Sequence, residues 1–236
     1  MGSSRLAGKV LKPILGKPLI LHQINRIMKS VYLNEMVVAI PNDHSNDVLA
    51  EAIENHGIKL YRGDSENVLN RFDKVIKNSN AEVIIRSTAD CPLFMPEMLD
   101  QMLLNFEELS VDYLSNSLET TFPDGLDIEI FTKNAFEKLT KLELSAKEKE
   151  HVTLGFYDGK FDFKIQNFST GLELGDQRWT VDYPEDFEFV KEIYENVGAF
   201  ATLEEVLYFL KENPSKKNSR SSTFRNIALK GELSEK

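Results

Sequence analysis

The chain has 236 residues, 42% of them hydrophobic and 28% charged, the make-up of a globular α/β domain. Its 28 Lys+Arg against 38 Asp+Glu leave a formal charge of −10, which excludes general nucleic-acid binding where no basic stripe exists. The single cysteine, Cys91, excludes an intramolecular disulfide and a cysteine-rich zinc site, and no apolar run approaches the roughly 20 residues of a bilayer span. No apolar segment follows Met1, so the expected compartment is the cytoplasm, with no membrane partner.

Residues 2–9 (GSSRLAGK) read as an anion-binding loop, in which glycines and serines let backbone N–H groups approach phosphate oxygens. Gly2, Ser3, Ser4, Arg5 and Lys9 are its candidate nucleotide contacts; the spacing excludes a P-loop, and Val10 stands where that motif needs Ser or Thr. Such loops normally follow a first strand, and none precedes this one in the sequence. Apolar spacing over residues 18–30 predicts a helix, Met36–Ile40 a buried strand, Asp43–His56 a helix stopped by Gly57, and Ile58–Tyr61 a strand. A helix follows with Ser65 as candidate N-cap, then a strand over residues 81–87 and a helix over Pro96–Phe106. This rhythm predicts a mostly parallel sheet with helices on both faces.

The second half is less regular. Tyr113–Asn116, Ile128–Phe131, Phe163–Asn167 and Arg178–Val181 read as strands, and Lys133–Leu142, Lys147–Phe156, Pro184–Asn196 and Leu203–Glu212 as helices. An insertion is expected around residues 117–175 at one sheet edge, one domain over residues 1–212, and a loosely ordered polar tail over 213–236.

Two aspartates end apolar stretches. Asp90, after the strand at 81–87, and Asp182, after Trp179-Thr-Val, stand where ligands of open α/β sheets bind, and two such carboxylates suit one magnesium ion beside phosphates. Each is equally at home as a turn residue when read alone. Asp124, Asp127 and Glu129 bring three acids within six residues, with Asp127 and Glu129 on one strand face, fit for sugar hydroxyls or for a solvated edge. His151 lies in a charged helix, and Asp186 reads as an early helix residue favoured by the dipole.

The segments GSSRLAGKVLKPILGKPLI, RGDSENVLNRF, RSTADCPL, FPDGLDIEIF, EKEHVT and RWTVDYPEDFE together, in this order, resemble bacterial cytidylyltransferases of the spore-coat-polysaccharide-biosynthesis type. These are relatives of the CMP-3-deoxy-manno-octulosonate and acylneuraminate cytidylyltransferases. The resemblance covers residues 2–195. It implies a three-layer nucleotidyltransferase-like, Rossmann-like α/β fold and transfer of CMP from CTP to an acidic sugar with release of pyrophosphate. It also implies roles. Ser4, Arg5 and Lys9 match the triphosphate signature, with Arg5, Lys9 and Asp90 catalytic; Asp90 and Asp182 match metal-binding aspartates; Asp127, Glu129 and His151 match segments lining the sugar side. The chain departs from the family at Ala7, Ala89 and Lys149, which replace proline, glycine and arginine, and in its missing first strand. The expected cofactor is magnesium, and the expected partners are CTP and an acidic sugar, with a homodimer among the expected assemblies. The alternatives are a non-catalytic nucleotide-binding remnant and a nucleotide-sugar glycosyltransferase; the absence of an Asp-x-Asp motif counts against the latter.

Overall fold

The computed structural model describes residues 5–220; Gly2, Ser3 and Ser4 of the expected loop and residues 221–236 of the expected tail lie outside the described residues. After one 3-10 turn at Lys9–Leu11, β1 (Pro13–Ile14) and β2 (Lys17–Pro18) form an antiparallel hairpin. Two-residue hairpin turns favour positive φ at both central positions, which Leu15 (φ 47) and Gly16 (φ 75) adopt. Hydrophobic spacing does not reveal this hairpin, which delivers the chain into α1 (Leu19–Ile27).

β3 (Val37–Pro41) pairs parallel with β4 (Lys59–Gly63), and α2 (Asp47–Asn55) crosses between them. Asp43 caps a short 3-10 turn, His44–Asn46, rather than α2 itself. α3 (Val68–Lys77) starts later than expected. Its N-cap is Asn67, which accepts from the Asn70 amide at 2.9 Å, while Asp64 takes the amides of Glu66 and Asn67 and leaves Ser65 out of the cap.

The chain then forms β5 (Val83–Arg86), α4 (Pro96–Leu109), β6 (Tyr113–Ser115), β7 (Glu129–Thr132) and α5 (Lys133–Leu139). α6 (Ala146–Glu150), α7 (Leu154–Tyr157), β8 (Ile165–Asn167), α8 (Pro184–Asn196) and α9 (Leu203–Glu212) complete the fold. The second sheet has the order β5-β7-β6-β8; β7 runs antiparallel to both neighbours, and β6 runs parallel to β8. The segment expected as an edge insertion therefore places β7 inside the sheet. Ile130 faces the main core and Phe131 the opposite cluster, both fully buried, so an apolar residue is needed on each face.

Two further readings change. Lys147–Phe156 is not one helix, because Val152 takes φ 51 and separates α6 from α7. Arg178–Val181 makes one isolated bridge, Asp124 to Arg178, instead of a strand. Its amides bond loops: Trp179 and Thr180 donate to the Asp124 carbonyl at 2.6 and 2.8 Å, and Val181 donates to that of Asp90 at 2.9 Å. At the other end of the described chain, Asn218 is buried and donates to the Arg178 carbonyl at 3.0 Å and to Asp186 at 2.9 Å. The expected loose tail is thus stitched to the fold as far as Asn218.

The main core joins α1, α4, α8 and α9 on one face of the second sheet, and α3, α5 and α7 cover the other. Among the described residues no helix is long and apolar enough to cross a membrane. Arg26 ties α1 to the rest: its guanidinium, 2% exposed, donates to the carbonyls of Phe94 (2.6 Å), Ala199 (3.0 Å) and Ala201 (2.7 Å). Arg26→Met strands these buried acceptors and is expected to cost about 2–4 kcal/mol. Urea denaturation checks this, with a lower midpoint at unchanged slope.

Candidate active site

Three loops meet beyond β5: the amino-terminal turn, the turn after β5, and the segment before α8. Lys9 Nζ lies 3.0 Å from Asp182 Oδ1 and 3.4 Å from Asp90 Oδ2, and donates to the Val181 carbonyl at 2.7 Å. Arg5 Nη2 lies 3.4 Å from the same Asp182 oxygen. The expected convergence of Arg5, Lys9, Asp90 and Asp182 is therefore observed, with one ammonium between two carboxylates that are distant in sequence.

Each carboxylate is held from behind. Thr88 Oγ1 donates to Asp90 Oδ1 at 2.6 Å, and Thr180 Oγ1 to the Asp90 carbonyl at 3.1 Å. Arg178, 5% exposed, is the hub on the other side. It reaches Asp182 Oδ2 at 2.9 Å, Asp124 Oδ2 at 2.7 Å and Asp186 Oδ1 at 3.1 Å. Asp186 does take the early-helix position expected of it: its carboxylate accepts from the amides of Asp182 and Tyr183 at 2.9 and 3.0 Å. It is also fully buried, which dipole reasoning alone does not foresee.

Burial pushes the Asp182 carboxyl up, but the charge and hydrogen bond of Lys9, with Arg178 and Arg5, outweigh it and hold the carboxyl below its ordinary value. Burial likewise opposes the Asp186 carboxylate, and hydrogen bonds from Arg178 and Asn218 keep it low. Gly125 lets the loops close. At φ 104, a Cβ there would lie 2.3 Å from the Thr180 amide nitrogen, so only glycine lets Asp124 pass so near the Trp179–Thr180 backbone.

A second cluster sits beside the first. Glu129 is buried, and its carboxylate is consumed by Arg86, Thr153 and Tyr113, the last donating at 2.7 Å. The expectation that Glu129 faces a sugar is therefore revised: its two oxygens are engaged by Tyr113, Thr153 and Arg86 in a largely buried setting, and the residue pairs with Arg86. Asp127 is half-buried and near enough to Cys91 and Tyr157 to help raise both pKa values; burial is the first cause in each, and Tyr157 reaches about 12. His151, half-buried at the end of α6, has its pKa lowered by burial and by the charge of Arg86, partly offset by Glu150. Asp127, His151, Tyr157 and Arg86 thus line one region. Arg86, Tyr113, Thr153, Tyr157, Arg178 and Asn218 were not singled out by sequence. For Arg178 a signal existed: it precedes Asp182 and Asp186 by four and eight residues.

The donor set at Asp90 and Asp182 suits a hard divalent cation that keeps further positions for phosphate and water. Among the described residues no group of three or more His, Cys, Asp or Glu side chains forms a closed metal cage.

The profile of the family described as Cytidylyltransferase matches residues 1–212, and the chain belongs to this family. It is 29% identical over 231 residues to the spore coat polysaccharide biosynthesis protein SpsF of Bacillus subtilis, covering 94% of this chain and 95% of that protein. It is 27% identical over 178 residues to the 3-deoxy-manno-octulosonate cytidylyltransferase of Geobacter sulfurreducens, covering 73% and 67%. The solved structure of a cytidylyltransferase from Leptospira borgpetersenii superposes with a TM-score of 0.87 at 28% identity, covering 93% of both chains. The three-layer α/β class read from sequence is thereby borne out, with a mixed sheet in place of the mostly parallel one expected, because β7 runs antiparallel to β5 and β6.

The charge cluster has a pH signature. Asp182 and Asp186 bind protons less readily folded than unfolded, so the stability they contribute is full above the ordinary carboxylate range of about 4 and is lost as pH falls through their lowered native values. Arg178→Met removes the largest lowering partner of Asp186 and one of several at Asp182, where Lys9 and Arg5 remain. Urea midpoints between pH 6 and 3 should fall steeply for the natural chain and more shallowly for the variant.

Proposed function

We propose that this site transfers CMP from CTP to an acidic sugar for surface-polysaccharide synthesis, releasing pyrophosphate. The observation that carries the reading is the convergence of Lys9 and Arg5 with Asp90 and Asp182 at one point. A sugar hydroxyl attacks the α-phosphorus in line, the new O–P bond forms, and the bond to the pyrophosphate oxygen breaks. Such a transfer depends on positioning and charge neutralisation more than on covalent participation by the protein.

Asp90 and Asp182 would hold magnesium, whose contribution when bound is neutralisation of phosphate charge. Lys9 already lies between the carboxylates, and its ammonium is placed to turn from them to the departing pyrophosphate, with Arg5 beside it. Arg178 keeps Asp182 ionised and fixes its direction. On the acceptor side Asp127 would bind hydroxyls, Arg86, aligned by Glu129, would favour an acceptor that carries a carboxylate, and His151, its pKa lowered by burial, would serve beside it as a neutral hydrogen-bonding group.

Pyrophosphate release from CTP, measured over a panel of acidic sugars with magnesium, tests the reading; release with at least one acidic sugar and not with its neutral analogue is expected. Asp90→Asn should lower kcat by about 100-fold or more. Its carboxylate is partly exposed, so the denaturation midpoint should move little. Near-natural turnover in that variant would overturn the metal assignment.

A further inference from the structure

The segment after α9 turns back onto the site. Beyond a 3-10 turn at Pro214–Lys216, the side-chain amide of buried Asn218 donates to the Arg178 carbonyl and to Asp186 Oδ1, two members of the carboxylate network. Its Oδ1 accepts from the Arg220 amide at 2.9 Å, so the backbone at residue 220 is tied to the same pair. The Arg220 guanidinium then lies 3.7 Å from the centre of the Tyr183 ring, and that of Arg5 lies 5.3 Å from it. The two guanidiniums are no farther apart than those distances combined. Arg5 continues the row to Asp182 at 3.4 Å, and Asp182 meets Lys9 at 3.0 Å.

Arg220 differs from the other arginines. Arg62, Arg71 and Arg86 share with it a buried Nε that has no acceptor, but their terminal nitrogens reach Asp47, the Asp64 carbonyl and Glu129. Among the described residues the Arg220 guanidinium donates to no carboxylate or carbonyl, and the Tyr183 ring is what holds it. An arginine seated over a ring spends its face and keeps its edge N–H groups for an anion, and that fork matches two phosphate oxygens. The neighbouring cations are already matched: Lys9 and Arg5 by Asp182, and Arg178 by Asp124 and Asp186. Arg220 brings to this end of the site a charge that no carboxylate cancels. Two guanidiniums against one ring also repel, and a bound polyanion relieves that repulsion.

We propose that Arg220 is a phosphate-binding residue of this site and takes the β- and γ-phosphates of a nucleoside triphosphate. The inference rests on the nucleotide reading above and goes beyond it by giving residues 213–220 a part in the chemistry. Asn218 pins that segment to Arg178 and Asp186, and Tyr183 aims the guanidinium that it carries. When the bond between the α-phosphorus and the bridging oxygen breaks, its electron pair passes to the departing pyrophosphate. Arg220 and Arg5 meet that charge from either side of the contact with Tyr183, as donors set in place before the step begins.

Titration calorimetry with no sugar acceptor present tests this without any measure of turnover. Kd is measured with magnesium for CTP, CMP and inorganic tripolyphosphate, on the natural chain, on Arg220→Met and on Arg220→Lys. Arg220→Met should weaken CTP and tripolyphosphate by about 10-fold or more and leave CMP, which has no β- or γ-phosphate, within about twofold. Arg220→Lys should recover part of the loss, because it restores the charge without the fork. Equal weakening of CTP and CMP would reduce the residue to a support of the fold, and unchanged affinity for all three ligands would equally overturn the proposal. The natural chain tests the wider reading separately. Tripolyphosphate held through Arg220 with no preference for CTP would uphold this assignment and sink the cytidine nucleotide; binding of neither would sink both.

Discussion

Lys9 reaches both Asp90 and Asp182 because the backbone has already brought them together. The Val181 amide bonds the Asp90 carbonyl, and the Val181 carbonyl accepts from the Lys9 ammonium. Like charges held this close repel unless cations intervene, and partly buried carboxylates stay ionised only with such partners. Arg178 supplies the second cation from behind and divides its guanidinium among Asp124, Asp182 and Asp186. The amino-terminal turn, the loop at Asp124 and the start of α8 are all anchored to this one network. Its members come from segments that no local propensity would bring together.

The network also explains why regular structure gives way where it does. Arg178–Val181 has the apolar character of a strand, yet its amides are needed by the Asp124 and Asp90 carbonyls. A ladder there would leave the Asp90 turn without its partners. Gly125 permits the same approach from the other side, where a side chain would strike the Thr180 backbone. The Arg86–Glu129 pair across the β5–β7 ladder is a quieter version of this design. Burial makes each charge depend on the other, and the result is a guanidinium of fixed direction beside the Lys9–Asp90–Asp182 cluster.

Much of this was legible in the sequence for physical reasons. α8 and α9 match their expected spans, because Pro184 opens one and Thr202 with Glu205 caps the other. Asp90 and Asp182 were identifiable as carboxylates closing apolar runs. The hairpin at β1 and β2 was not, since two-residue strands have no periodicity and Leu15 is an unusual residue at positive φ. The interior position of β7 was hidden too, as a short apolar run reads alike at an edge and in the middle of a sheet. Glu129 was misjudged for a related reason: a strand-face carboxylate looks solvent-directed until its buried partners Arg86, Tyr113 and Thr153, all distant in sequence, are known. Arg178 depended on tertiary contacts in the same way.

The central claim is that Asp90 and Asp182 share one divalent cation beside a nucleotide's phosphates. Crystals grown with manganese and a non-reactive CTP analogue test it most directly through anomalous scattering. The account predicts one manganese peak bonded to oxygens of both carboxylates and of the triphosphate, with the Lys9 ammonium displaced onto phosphate. A peak that touches only one of the two aspartates, or a triphosphate bound away from Lys9, would contradict it.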